Sequence, residues 1–225
     1  MSERAVLISI QPKWCELVAN GKKTIEVRKT RPKLETPFKC YIYCTKPSKK
    51  YQTICGCMVI NTDELYRLPN GEIKHDWSGE LMTVKEEYTK DNFLNGKVIG
   101  EFVCDRIDDF YCCTVPYKKE NNLGYGRFLD NGVYKVDGWH EGVVFERNDR
   151  YIDSMLKNND LKEMCLSAQE IFDYIGIGKY LYAWHISDLK IYDKPKALSE
   201  FTNLKGEPIK RAFQSWGYVK ENADD

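Results

Sequence analysis

The chain has 225 residues, 42% of them hydrophobic, and its 34 Lys and Arg residues balance its 34 Asp and Glu residues. That length supports one good hydrophobic core, so we expect one domain with insertions. A formal charge of zero excludes an overall field that would attract a polyanion. Any contact with nucleic acid must therefore be local.

Nine cysteines are present, an odd number, and the N-terminus runs directly into a strand pattern without the features of a signal peptide. This favours reduced thiols in a cytoplasmic protein over a disulfide framework. No apolar stretch reaches the roughly 18 residues of a membrane-spanning helix, so we expect no membrane partner. No cofactor motif is present, and we predict no cofactor.

The first elements in chain order are a strand, a short helix and a second strand. Residues 5–10 are rich in β-forming side chains, Pro12 opens a segment with apolar residues at helical spacing, and Gly21 ends it. Residues 24–28 then alternate as a strand does. The order predicts strand, helix, strand.

The second strand carries charges of both signs on one face. Alternation places Thr24, Glu26 and Arg28 together, while Ile25 and Val27 point to the opposite side, which is apolar enough to be the core. Such a polar face indicates a binding or catalytic site. The alternative is a solvated edge strand with cross-strand ion pairs, and spacing alone leaves both interpretations open.

Further strands are predicted at residues 38–45, 54–60 and 97–105 from their alternating patterns. Polar residues with turn signals fill 61–95 and about 117–160, and we interpret both as insertions. These strands are not separated by regularly spaced helices. The pattern favours a mixed, mainly antiparallel sheet or a small barrel.

The C-terminal part begins with a predicted helix. Ser167 and Glu170 have capping-box spacing, so the helix begins there, and Gly176 ends it. An aromatic strand follows at 180–186, with a possible continuation at 189–192. We expect the last five residues to be disordered.

Three blocks of this sequence resemble the ASCH domains, a branch of the PUA-like superfamily. Residues 8–12 lead through the short helix into residues 21–28, which are similar to the family signature G-x-K-x-x-E-x-R. Residues 96–102 are similar to the central strand of the family, and residues 182–186 to its closing strand. The blocks cover roughly half of the chain.

The resemblance implies an α+β, mainly β fold: a PUA-like β-barrel of five or six strands with short flanking helices and two insertions. Residues 1–200 would form one domain, interrupted at about 61–95 and 117–160. Residues 201–225 would be a C-terminal extension.

The resemblance also implies a cleft lined by the signature segment. Members are mostly thought to bind RNA or a nucleotide-like ligand, and a small branch hydrolyses acetylcytidine. In that branch a lysine matching Lys23 acts with a threonine and with a glutamate from elsewhere in the chain. Here Glu26 stands where that branch has the threonine, which favours binding over catalysis.

The residue types suit a nucleobase or nucleoside. Glu26 can accept a hydrogen bond from an exocyclic amine, and Arg28 can grip a phosphate or stack on a base. Burial would lower the pKa of Lys23 and the Glu26 carboxylate would raise it, so the sequence leaves open whether Lys23 can act as a base. The predicted ligand-binding residues are Lys22, Lys23, Thr24, Glu26, Arg28 and Trp184, with Lys23 and Glu26 as the catalytic pair if the protein is an enzyme.

Aromatic residues of the closing strand have two interpretations. Tyr182 and Trp184 share one face, as a stacking platform or as core, and core packing is favoured for one of them. Trp14 has the same ambiguity. His185 lies on the other face, where a structural role is favoured over a catalytic one.

A zinc site has to be weighed because four cysteines alternate on two predicted strands. Cys40 and Cys44 would share a face of one strand, and Cys55 and Cys57 a face of the next. The C-x-C spacing within an apolar strand is more typical of buried thiols than of zinc ligands. We predict no metal.

Three functions remain open at this point. The leading hypothesis is a module that binds RNA or a modified nucleoside or nucleotide. The second is an amidohydrolase acting on an acylated pyrimidine nucleoside such as acetylcytidine. The third is a protein-interaction domain, because the chain is neutral and carries large predicted insertions.

Overall fold

The computed structural model describes residues 4–46, 51–54, 57–60, 72–74, 81–83, 94–116, 134–135, 141–147, 158–176 and 178–221. These ranges contain mostly strands and a few short helices. The strands are β1 (Arg4–Ile10), β2 (Ile25–Arg28), β3 (Phe38–Cys44), β4 (Tyr51–Ile54), β5 (Cys57–Ile60), β6 (Glu72–Lys74), β7 (Leu81–Thr83), β8 (Lys97–Pro116), β9 (Tyr134–Lys135), β10 (Glu141–Arg147), β11 (Lys179–Ala197) and β12 (Trp216–Lys220). The α-helices are α1 (Pro12–Ala19), α2 (Asn158–Met164) and α3 (Ala168–Ile175), and a 3-10 helix spans Leu198–Glu200.

The predicted order of strand, helix and strand at the N-terminus is confirmed. Pro12 opens α1, where its missing N–H and fixed φ cost nothing. Gly21, just beyond the helix, has a φ of +73°, a conformation that glycine adopts without a steric penalty. The chain can therefore turn directly from α1 toward β2.

The chain divides into two compact units. The first comprises Met1–Gly21, Phe38–Val103 and Asp188–Asp225, and the second comprises Lys22–Pro37 and Cys104–Ser187. The long strands β8 and β11 contribute residues to both units. The predicted charged strand, β2, belongs to the second unit.

In the first unit, β1 lies between two partners. It pairs in parallel with β3, with Leu7 opposite Tyr41, and antiparallel with β12, with Ala5 opposite Val219. All four of these side chains belong to one hydrophobic core, which Phe201 also joins. The segment after residue 200 thus supplies a strand and core residues to this unit.

In the second unit, one face of β2 packs into a separate core. Ile25 and Val27 lie beside Leu181 and Ala183 of β11, and Ile171 of α3 packs on the same cluster. The predicted capping box of α3 is present, because Ser167 accepts from the N–H of Glu170 and the Glu170 carboxylate accepts from the N–H of Ser167. The prediction that Ile25 and Val27 point into the core is confirmed.

A mainly β, α+β fold is confirmed, but the predicted closed barrel is not. Among the described strands the order of pairing is β12-β1-β3-β8-β10-β9, with β11 joining β8 to β2, and this order has open ends. β8 is 20 residues long and changes partners along its length, pairing with β10 only over Phe110–Pro116.

The single strand predicted at 54–60 is wrong. Ile54 ends β4 and pairs antiparallel with Cys57, the first residue of β5, so the segment belongs to a hairpin that forms its own two-stranded sheet. The two residues left between the strands read Cys-Gly in the sequence. Glycine in a two-residue connection is a hairpin signal, which the alternating apolar pattern concealed.

Both segments predicted as insertions contain described strands. β6 and β7 pair with each other, and β9 pairs with β10, which in turn pairs with β8. The second segment therefore adds strands to the main sheet. The proposed domain boundaries stay a prediction. Of the last five residues, which were predicted to be disordered, Glu221 is described and the other four lie outside the described ranges. Within those ranges, no helix has the length and apolar character needed to span a membrane.

Candidate functional site

Three charged side chains of the signature segment are buried together in the second unit. Lys23 is 2% exposed, Glu26 5% and Arg28 8%. The interpretation of β2 as a solvated edge strand is therefore wrong. Burying charges costs several kcal/mol per ion unless they are well compensated, so this grouping needs an explanation beyond solubility. We call these three residues the charged cluster.

Glu26 lies between the two cations of the charged cluster. Its Oε1 is 3.0 Å from Nη2 of Arg28, and its Oε2 is 3.6 Å from Nζ of Lys23. Lys23 also donates a hydrogen bond of 2.6 Å to the carbonyl oxygen of Met164. Oε2 is buried and has no hydrogen-bond partner in the described part of the chain. Oε2 therefore has Lys23 as an ion-pair partner but no hydrogen bond within that part of the chain.

The turn before β2 is held by two distant segments. The N–H of Thr24 donates to the carbonyl of Glu163, and the carbonyl of Thr24 accepts from the N–H of Ile186. Just after α2, Cys165 has a φ of +53° and its thiol donates to the carbonyl of Lys22. These contacts fix the backbone on both sides of Lys23. The side chains of Lys22 and Thr24, both predicted ligand contacts, are exposed.

Burial decides the direction of the Lys23 pKa, which the sequence left open. The pKa is lowered from the usual 10.5, chiefly because burial penalises the ammonium form. The attraction of Glu26 acts in the opposite direction and is the smaller effect. Lys23 is therefore easier to deprotonate than an ordinary lysine.

The lowered pKa predicts a pH-dependent stability that Lys23→Met removes. Between the folded pKa and 10.5 the unfolded chain binds more protons at Lys23 than the folded chain, so stability rises with pH in that window. We expect the free energy of unfolding of the parent minus that of Lys23→Met to increase from pH 7 to 10, by at most about 1.4 kcal/mol per pH unit. Urea denaturation measures it. Lys22→Met, at the exposed neighbouring position, is the control for the loss of a lysine side chain. A flat difference for Lys23→Met would contradict the assignment.

Tyr174 of α3 joins the site, and the sequence did not indicate it. Its side chain hydrogen-bonds with Arg28, and burial raises the pKa of its phenol while Arg28 lowers it. The residue is nevertheless 40% exposed, and Nζ of Lys29 lies 4.6 Å from the ring centroid. Helical periodicity could predict α3, but it could not predict that the last turn of this helix contacts Arg28 of β2.

The register of β11 against β2 places the two predicted aromatics beside the charged cluster. Trp184 lies opposite Glu26, and Tyr182 lies opposite Arg28. Directly opposite residues of antiparallel strands share a face of the sheet. Trp184 is fully buried and Tyr182 only partly. As placed, Trp184 is packed in the interior, and its role in ligand binding stays a prediction.

His185 lies on the opposite face of β11, as predicted from alternation. It pairs with Ile25 in the register, and its Nε2 is 2.9 Å from Oδ2 of Asp108 on β8. A carboxylate partner of this kind satisfies the ring and fixes its orientation. The predicted structural role fits this geometry.

Two of the four cysteines that were weighed as zinc ligands have described side chains. Cys40 and Cys44 are buried free thiols on β3. Cys55 and the side chain of Cys57 lie outside the described residues. In the parts of the chain that the structure describes, no group of three or more His, Cys, Asp or Glu residues is placed to hold a metal ion.

Comparison with known proteins finds the family that the motifs predict. The model of the ASCH domain family matches residues 8–81, which include the last three residues of β1, all of α1 and the whole charged cluster. No curated protein matches significantly.

Two solved structures are similar at low identity. The crystal structure of ASCH from Zymomonas mobilis has 15% identity and a TM-score of 0.45, with 98% of this chain and 90% of that chain covered. A tyrosine-to-phenylalanine mutant of the same protein has 15% identity and a TM-score of 0.44, with 96% and 91% covered. Likeness at this level establishes neither function nor site.

Proposed function

Since residues 8–81 match the ASCH domain family, we propose that the charged cluster is the ligand site of a module that binds RNA or a modified nucleoside or nucleotide. The residues in contact with the ligand would be those predicted from the signature segment. Glu26 and Arg28 would form the inner part of the site. Lys22 and Thr24, which are exposed, would form its rim.

The observation that carries this proposal is the buried carboxylate between two cations. A buried ion pair is weak evidence for stability, because well-packed apolar side chains often stabilise a fold as much or more. Buried ionisable groups with a shifted pKa, such as Lys23, are frequent at functional sites. Glu26 in addition keeps one oxygen without a hydrogen-bond partner among the described residues. A hydrogen-bond donor of the ligand would satisfy this oxygen and so remove the cost of burying it without a hydrogen bond.

Each member of the charged cluster has a distinct task in nucleotide recognition. Oε2 of Glu26, which makes no hydrogen bond among the described residues, would accept from an exocyclic amine such as N4 of cytosine. The planar guanidinium of Arg28 would bind a phosphate with two hydrogen bonds or stack on a base. Lys23 would stabilise the negative charge of Glu26 through their ion pair. Trp184, opposite Glu26 in the register, would form the wall behind the carboxylate.

Arg28→Lys tests the proposal while keeping the buried charge. Lysine cannot reproduce the bidentate fork, so we expect the affinity for a cytidine nucleotide to fall about tenfold or more. Isothermal titration calorimetry with cytidine monophosphate and with a short single-stranded RNA measures it. Lys210→Ala, which removes an exposed cation outside the charged cluster, is the control and should bind like the parent.

Salt dependence separates the two ligand classes. Binding of RNA through Arg28 and the exposed lysines should weaken steeply as salt rises, because counterions are released from the phosphates. A nucleoside held by Glu26 should respond little. Unchanged affinity in Arg28→Lys for every probe would refute the proposed site.

The lowered pKa of Lys23 favours one second candidate, hydrolysis of an acylated pyrimidine nucleoside such as acetylcytidine. Lys23 would take a proton from water, the water oxygen would bond to the acyl carbon, and the C–N bond would break. Glu26 would carry the proton to the departing amine. A Lys23→Ala protein that hydrolyses acetylcytidine at the parental rate would eliminate this candidate.

A further inference from the structure

A row of aromatic side chains leads from the charged cluster toward solvent. Side chains two apart on a strand share a face, so Tyr180, Tyr182 and Trp184 of β11 lie on one side. The register places that side together with Glu26 and Arg28 of β2. The aromatic row and the charged cluster therefore occupy the same face of the sheet.

Exposure increases along this row. Trp184 is fully buried, Tyr182 is partly buried and Tyr180 is 40% exposed. The rings of Tyr180 and Tyr182 are stacked, with centroids 6.2 Å apart and planes at 27°. Tyr111 of β8 extends the row, its ring centroid 5.0 Å from that of Tyr180. We call Tyr111, Tyr180 and Tyr182 the tyrosine row.

The exposure of Tyr180 is unusual for this chain. Among the described residues only three large hydrophobic side chains are exposed: Tyr174, Tyr180 and Leu204. Two of the three are tyrosines of the second unit, one bonded to Arg28 and one in the tyrosine row. Exposed aromatics next to a charged site are typical of surfaces that bind planar ligands.

Cations accompany the tyrosine row. Arg31 is 39% exposed, and its Nη1 is 3.4 Å from Oδ1 of Asp109. Both groups are close enough to Tyr182 to influence its pKa, which burial raises most, Asp109 raises further and Arg31 lowers. An exposed ion pair of this kind contributes little to stability, so a phosphate can compete for the guanidinium. Exposed Lys29 adds a second cation, over the ring of Tyr174.

We propose that the tyrosine row stacks the bases of a single-stranded oligonucleotide, one nucleotide of which occupies the charged cluster. This inference rests on the proposed function and narrows its ligand from a free nucleoside to a strand. Stacking on aromatic rings combined with cations for the phosphates is the usual way that proteins hold single strands, because every base has a π-face. The continuity of the tyrosine row with the charged cluster indicates where neighbouring bases lie.

Tyr180 variants test the inference. Fluorescence anisotropy with a labelled uridine–cytidine octanucleotide, as RNA and as the matched DNA, gives the affinity for a strand. Calorimetry with cytidine monophosphate gives the affinity for the charged cluster alone. We expect Tyr180→Ala to weaken strand binding about fivefold to 100-fold, with binding of the mononucleotide unchanged.

Two substitutions at the same position separate stacking from folding. Tyr180→Phe keeps the π-face and should bind the strand like the parent. Tyr180→Leu keeps apolar volume and lacks the π-face, so it should weaken strand binding as the alanine variant does. Leu204→Ala is the matched control, because Leu204 is also 40% exposed. It should leave both affinities unchanged.

The outcomes distinguish this inference from the proposed function. If Tyr180→Ala and Tyr180→Leu bind the strand as the parent does, or if the parent binds only the mononucleotide, the inference is overturned. The proposed function then stands as long as Arg28→Lys weakens mononucleotide binding. If the parent binds neither probe, both fail. Equal loss in the RNA and DNA arms, or a larger loss in the RNA arm, supports stacking by the tyrosine row.

Discussion

Glu26→Gln is expected to lower the free energy of unfolding by about 3–5 kcal/mol. The substitution preserves shape and leaves an oxygen that can accept from Arg28, but it removes the negative charge between two buried cations. Lys23 and Arg28 then remain buried without the carboxylate, whose oxygens lie 3.6 Å from Lys23 and 3.0 Å from Arg28. Urea denaturation at pH 7 measures the effect.

A matched substitution shows whether the loss belongs to the charged cluster. Glu35 is an exposed glutamate of the same unit, and Glu35→Gln should change stability by no more than about 0.5 kcal/mol. The double variant Lys23→Met/Glu26→Gln should be more stable than the sum of its single changes predicts, because it removes opposite charges together. If Glu26→Gln costs no more stability than Glu35→Gln, the ion pairs of Glu26 with Lys23 and Arg28 do not stabilise the fold.

Local patterns in the sequence predicted elements in each of the two units. Alternation identified β2 and the direction of Ile25 and Val27, and Pro12 and Gly21 marked the limits of α1. The capping box at Ser167 located the start of α3. Each of these signals lies within a few residues of the feature it predicts, which is why it can be read without the fold.

Burial of the charged cluster could not be predicted in the same way. The carbonyl that accepts from Lys23 belongs to Met164, 141 residues later in the sequence. The side chain that bonds Arg28 belongs to Tyr174, in a helix with an ordinary amphipathic pattern. Whether a polar face is solvated or covered depends on such distant segments, and alternation is the same in either case.

The missed strands have a similar explanation. β10 lies in a segment read as an insertion, and β12 in a segment read as an extension. In β12 the glycine at position 217 weakens the strand pattern. Its partner β1 lies at the other end of the chain, and Val219 contributes to the core through that pairing. The sheet itself, more than local propensity, makes these segments strands.

Trp184→Ala is expected to destabilise the protein by about 3–5 kcal/mol, because it deletes the largest fully buried side chain among the described residues. Trp14 of α1, which was equally ambiguous in the sequence, is only partly buried and carries Nζ of Lys13 at 4.4 Å from its ring. Trp14→Ala should therefore cost clearly less. Urea denaturation of both variants gives the comparison. Equal losses of unfolding free energy would contradict the expectation that the more buried tryptophan contributes more to stability.

Trp184→Phe separates packing from ligand contact. It keeps an aromatic ring in the interior, so we expect a smaller loss of stability, about 1–3 kcal/mol. Because the indole is sealed from solvent opposite Glu26, nucleotide affinity should stay within about threefold of the parent. A tenfold weaker affinity at retained stability would instead make Trp184 a direct ligand contact. The base-binding surface would then include Trp184, opposite Glu26, in addition to the tyrosine row.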